Sequence, residues 1–200
     1  MDAQQLIDLA AKKPRGSVAR SLLVAAAVQT AIGADVVVVG GTAVNRYTDQ
    51  YRPTDIDLVA SVDSHQRDLM VAAGFKWLGT GHRHLSIAFW DGEEVLVEFP
   101  SERLDGRKAP EIIEVADGVR IRVISLDDLV IDRLVQATDG TLITTENAVD
   151  LLLATYDRVD WDFVEEQVAR RAGELPELEA SYQRVRDQAR RILRAEASDR

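Results

Sequence analysis

Two segments constrain this chain more than any others: Val36-Val37-Val38-Val39-Gly40-Gly41-Thr42-Ala43 and, one loop later, Thr54-Asp55-Ile56-Asp57-Leu58-Val59. The first reads as an interior strand that runs into a double-glycine turn. The second reads as a strand with carboxylates at i and i+2. Side chains two apart on a strand share a face, so Asp55 and Asp57 present their oxygens side by side. Such a pair repels itself unless a cation lies between, most often a divalent metal. The glycine turn offers bare backbone amides at close range, which suits a phosphate. An isolated Asp-x-Asp ordinarily does no more than cap a loop, and an isolated Gly-Gly is ordinarily a tight turn. Here Ile56, Leu58 and Val59 imply a buried strand, where an unpaired carboxylate costs several kcal/mol. Phosphates beside a carboxylate-held metal are the parts of a phosphoryl or nucleotidyl transfer site.

Glu98 is the third element. Val95-Leu96-Val97-Glu98-Phe99-Pro100 places one acid inside an apolar strand. Val97 and Phe99 face one side, so Glu98 shares the other with Leu96. If this strand lies beside 56–60, Glu98 becomes a third oxygen ligand, and three carboxylates suffice for two Mg²⁺ ions.

The remaining pattern is that of an α+β chain. Residues 3–12 and 18–32 read as helices broken around Lys13-Pro14-Arg15-Gly16, with Ser17 as a cap. A short helix is expected near 42–47 and another over 64–73. Strands are expected at 35–39, 56–60, 75–78, 84–89, 95–99 and 119–123, with Asp91-Gly92 and Asp117-Gly118 as turns. From Ser125 the period becomes helical: Leu126, Leu129, Val130 and Leu134 form a stripe behind a capping signature, and helices follow near 146–156, 161–172 and 177–196. The expected organisation is a mixed core with its N-terminal helices over residues 1–123 and a helical region over 124–200 packed on it.

With 46% hydrophobic residues the chain can bury a sizeable core, and its formal net charge of −10 argues against a generic nucleic-acid binder. A local basic patch can still admit nucleic acid as a substrate. Cysteine is absent, which excludes disulfides, thiolate metal sites and cysteine nucleophiles. No apolar run approaches a bilayer span and the N-terminus has no signal-peptide layout, so a cytoplasmic protein without membrane attachment is expected.

Gly-Gly-Thr, followed after thirteen residues by Asp-x-Asp on a strand and later by a strand carboxylate, resembles the DNA polymerase beta-type nucleotidyltransferase superfamily. More narrowly, Arg83-His84, Val97-Glu98-Phe99-Pro100, Ile124-Ser125-Leu126-Asp127-Asp128 and Asp132-Arg133-Leu134 resemble small bacterial nucleotidyltransferase-like proteins, a branch that overlaps with the toxins of toxin–antitoxin systems. The resemblance implies a nucleotidyltransferase-like mixed sheet flanked by helices. It implies that Gly40, Gly41 and Thr42 hold an NTP triphosphate, assisted by Thr54, and that Asp55, Asp57 and Glu98 bind Mg²⁺ or Mn²⁺. Glu98 would also act as general base toward an acceptor hydroxyl on RNA, protein or a small molecule. An antitoxin partner follows from the same analogy. Toxin-like relatives carry a lysine where this chain offers Arg133, which still pairs with phosphate. Asp150 matches an aspartate on their next helix, although Arg133 and Asp150 also suit a plain interhelical ion pair.

Of the other cations, the His82-Arg83-His84 cluster suits either a solvated turn or contact between Arg83 and nucleotide phosphate. Tyr47 and Tyr51 suit either base stacking or local packing. Trp77, Trp90 and Trp161 read as core or half-buried residues, and the arginine-rich last helix as a solvated or partner-facing surface. The alternative to an enzyme is a chain that keeps the fold, binds a nucleotide or a protein partner, and has lost catalysis. A nucleotide-sugar glycosyltransferase fits the position of the glycine turn less well. A haloacid dehalogenase-type phosphatase requires a hydrophobic strand directly before Asp-x-Asp, where this chain has Arg52-Pro53-Thr54.

Overall fold

Capping side chains define the helical hairpin that opens the chain. In α1 (Ala3–Ala11) the Asp2 carboxylate accepts from the Gln5 amide while the Gln5 side chain accepts from the Asp2 amide, a reciprocal pair that satisfies two orphan donors. Ser17 caps α2 (Val18–Ile32), and Gly33, in the left-handed region at φ 64°, ends it. Val24 to Val28 are fully buried, as expected of a helix apolar on all sides. This computed structural model describes residues 1–48, 55–79 and 83–198. The chain divides into two units, Met1–Ile124 and Ser125–Arg200.

The first unit is built on a mixed seven-stranded sheet. Its strands are β1 (Val37–Val38), β2 (Asp55–Val59), β3 (Lys76–Trp77), β4 (His84–Ala88), β5 (Glu94–Ser101), β6 (Glu111–Ala116) and β7 (Val119–Val123), in the order β3-β4-β5-β2-β1-β7-β6. The β2–β5 and β1–β7 pairs are parallel and the others antiparallel. Helices α3 (Gly40–Thr48) and α4 (Ser64–Ala72) complete the unit. Alternation sorts the central strands into a dry face, with Ile56, Leu58, Leu85, Val97 and Ile121 buried, and a half-open face that carries the acids.

Three expectations change. The helix expected near 42–47 already begins at Gly40, which itself keeps the positive φ of a glycine turn, so turn and helix start coincide. Strand β6, absent from the expected strands, pairs with β7 as an edge strand; Glu111-Ile112-Ile113-Glu114 puts two apolar residues side by side and hides the alternation. Trp90 is 84% exposed at the tip of the β4–β5 hairpin, not core, and Trp77 on the edge strand β3 is 41% exposed beneath the Arg67 guanidinium.

Arg20 ties the helical hairpin to that β4–β5 turn. Only 2% exposed, it donates to the carbonyls of Ala10 and Lys13 past the end of α1, pairs with Asp91 and Glu93, and lies over the Phe89 ring. The hydrogen bond from Arg20 holds the Asp91 carboxyl below the usual carboxylate range. A folded-state pKa below the unfolded value of about 3.9 contributes stability above that value, lost as pH falls through the folded one. Asp91→Asn is therefore expected to lower the Tm at pH 6, by a difference that shrinks at a second, strongly acid pH where the carboxyl is protonated in both states. Parallel melting curves at both pH values would show that the pair contributes nothing.

The second unit is helical: α5 (Leu126–Gln136), α6 (Leu142–Thr155), α7 (Trp161–Arg171) and α8 (Glu177–Ser198). Ser125 caps α5 as expected, accepting from the Asp128 amide. Asp127 accepts from the amide of Asp160, the N-cap of α7. Leu129, Leu134, Leu151, Leu152, Val164 and Leu178 fill the core. No helix among the described residues is long and apolar enough to cross a membrane.

Candidate metal-binding active site

Parallel pairing of β2 with β5 assembles the site. In register, Asp55 lies opposite Leu96, Ile56 opposite Val97 and Asp57 opposite Glu98, so all three acids point to the same face. Each is half-buried, and one oxygen from each lies within 4.8 Å of the other two. A set made only of carboxylate oxygens suits a hard divalent cation, Mg²⁺ or Mn²⁺, better than zinc or copper. The donor set therefore fits the ion expected from the sequence.

The antiparallel neighbour adds a residue that sequence reasoning placed only in a matching segment. His84 on β4 is the cross-strand partner of Glu98, and its Nε2 lies 3.8 Å from Glu98 Oε1. One row thus runs Asp57–Glu98–His84 across three strands. The register between separate strands brings these residues together, and no local pattern in the sequence encodes it.

The first turn of α3 packs against β2 at both of its acids. Val39 donates its amide to the Asp57 carbonyl, which brings Gly40 against the Asp57 side chain. Gly40, Gly41 and Thr42 are all buried, and the Thr42 hydroxyl donates to the Asp55 carbonyl at 3.2 Å. Tyr47, on the same helix, is buried with its hydroxyl on the Ile124 carbonyl, so it packs locally and does not offer a stacking face.

Arg83 is exposed directly before β4. Its carbonyl accepts from the Phe99 amide, and its guanidinium reaches the Pro100 carbonyl at 3.5 Å, so it sits at the same end of the sheet as Glu98. Thr54, Tyr51 and His82 lie outside the described residues.

Arg133 belongs to the second unit. It is buried, it pairs with its neighbour Asp132 at 3.1 Å, and its Nε finds no hydrogen-bond partner among the described residues. A buried guanidinium nitrogen left unsatisfied calls for a physical reason. Asp132 keeps 43% of its side chain in solvent, yet the protein around it raises its carboxyl above the usual range, which the charge of Arg133 offsets only in part. Asp150 is exposed on α6.

No protein-family model matches the sequence, and no curated protein matches it at a significant level. Among solved structures the chain is similar to the solution structure of the antibiotic-resistance factor ANT(2'')-Ia, at 15% identity, covering 99% of this chain and 100% of that one with a TM-score of 0.42. A likeness that low assigns no activity to this chain. The class defined here by fold and site is an α+β protein with a three-carboxylate centre on adjoining strands.

Proposed function

We propose that this chain is a divalent-metal-dependent nucleotidyltransferase that moves an NMP from an NTP to a hydroxyl acceptor. The observation that carries the proposal is the Asp55–Asp57–Glu98 group, with oxygens within 4.8 Å of one another on the face reached by the first turn of α3. Bound between these carboxylates, Mg²⁺ or Mn²⁺ supplies charge neutralisation on the phosphates and a lowered pKa at the acceptor oxygen.

The chain's own residues do the rest. Asp55 and Asp57 fix the ion from one strand and Glu98 from the next. Glu98, which borders His84, takes the proton from the acceptor hydroxyl. The acceptor oxygen then bonds to the α-phosphorus as the bond to the bridging oxygen breaks, and pyrophosphate leaves. The amides of Gly40, Gly41 and Thr42 open a helix, where backbone N–H groups and the helix dipole favour an anion. Arg83, and Thr54, the residue next to Asp55 in the sequence, enter as further triphosphate contacts. Arg133 enters on its chemistry, as a guanidinium with an unsatisfied nitrogen.

The test is label transfer from each α-³²P-NTP with Mg²⁺ and a total cell extract, with pyrophosphate release followed in parallel. Label on an RNA band, a protein band or a small product establishes transfer and identifies the acceptor class. Binding of NTP without transfer or pyrophosphate release supports the alternative, a nucleotide-binding protein that has lost catalysis. Neither binding nor release would overturn the proposal.

A further inference from the structure

Gly40 has a positive φ of 59°, and the space a side chain would need there is already filled. A Cβ on Gly40 would lie 1.7 Å from Asp57 Oδ2 and 2.6 Å from Asp57 Cγ. No real Cβ tolerates such distances, and the obstruction is the carboxylate itself. Gly33 makes the comparison clear: its φ is 64°, but a Cβ there would meet nothing within 4 Å. Both positions require the left-handed backbone that glycine favours. Only Gly40 also requires the absence of a side chain.

We propose that Gly40 is a positioning residue for Asp57: by lacking a side chain it leaves the pocket in which the carboxylate rests, and so sets where the metal-binding oxygens stand. The same turn makes a second, independent contact with the same strand, because Thr42 donates its hydroxyl to the Asp55 carbonyl. The first turn of α3 is thus interlocked with β2 at both acidic positions, apart from whatever its amides bind. The interlock rests on geometry alone; its consequence for metal binding rests on the reading of the three acids as ligands.

A double-mutant cycle separates the two. Tm is measured for wild type, Gly40→Ala, Asp57→Ala and the double variant, with Gly33→Ala as the control for left-handed strain alone. Mn²⁺ affinity is measured by titration calorimetry on wild type, Gly40→Ala and Gly33→Ala. Shortening Asp57 removes the two nearest atoms, Oδ2 and Cγ, and leaves its Cβ at 2.9 Å, a contact that a small shift relieves.

Two outcomes support the proposal. In one, Gly40→Ala lowers the Tm more than Gly33→Ala does, and most of the excess disappears in the Asp57→Ala background. In the other, the Asp57 side chain swings aside: the Tm falls only as for Gly33→Ala, but Mn²⁺ affinity drops about tenfold or more, the loss typical when the support of a ligand is removed. A Gly40→Ala protein that matches Gly33→Ala in Tm and wild type in Mn²⁺ affinity overturns it. If wild type binds no Mn²⁺, the metal reading fails, and the Tm cycle alone decides: coupling between the two sites upholds the interlock and additivity overturns it.

Discussion

Asp57→Asn is expected to cut nucleotidyl transfer by roughly 10³-fold or more, the scale of losing a preorganised electrostatic group at the reacting centre. The same substitution is expected to leave the fold intact and to raise the Tm of the metal-free protein. Asparagine keeps the shape that rests against Gly40 but removes one of three like charges whose oxygens lie within 4.8 Å. Activity and stability thus move in opposite directions. Transfer assays and melting curves on one preparation check both. A variant that transfers label at the wild-type rate would dismiss Asp57 as a ligand, and a lower metal-free Tm would mark it as a structural hydrogen-bonding residue.

Arg20→Met is expected to have the largest effect on stability, about 3 kcal/mol, at the lower end for breaking one side of a buried ion pair. The lower end applies because the guanidinium, though only 2% exposed, has Asp91 beside it with 21% of its side chain in solvent. Methionine fills much of the volume but leaves Asp91 and Glu93 without the Arg20 guanidinium and removes its hydrogen bonds to the Ala10 and Lys13 carbonyls. Arg20→Lys should not rescue the loss, because an ammonium cannot serve carbonyls and carboxylates through one planar fork. Urea unfolding should show a lower midpoint at constant m. A loss below about 1 kcal/mol would place Arg20 among ordinary surface ion pairs.

The local parts of the site were legible in the sequence. Asp55 and Asp57 stand out because carboxylates at i and i+2 interrupt an apolar strand, and Glu98 because it breaks the run from Val95 to Phe99. Helix α2 was read at its observed bounds, 18–32, because Ser17 and Gly33 punctuate it. What could not be read depends on contacts between distant segments. His84 joins the row of Asp57 and Glu98 only through the register of β4 on β5. Nothing local marks Arg20, since its two acidic partners lie more than seventy residues away. Trp90 was misread because a tryptophan carries a strong expectation of burial, which hairpin geometry overrides at the tip of a turn. The double glycine reads as a turn, and Gly40 does turn the chain at φ 59°, but the same residue also starts α3.

The parallel pairing of β2 with β5 has a thermodynamic corollary. Asp57 and Glu98 belong to segments far apart in the chain, and only the completed sheet puts them in register. An unfolded chain does not hold Glu98 beside Asp57, so an ion held by the three acids, as proposed, would discriminate between folded and unfolded forms. On that reading ion capture and folding share one equilibrium, and the apparent stability of the chain is expected to rise with the logarithm of free ion concentration above the Kd. Folding of the sheet is thus also the step that assembles the proposed ligand set.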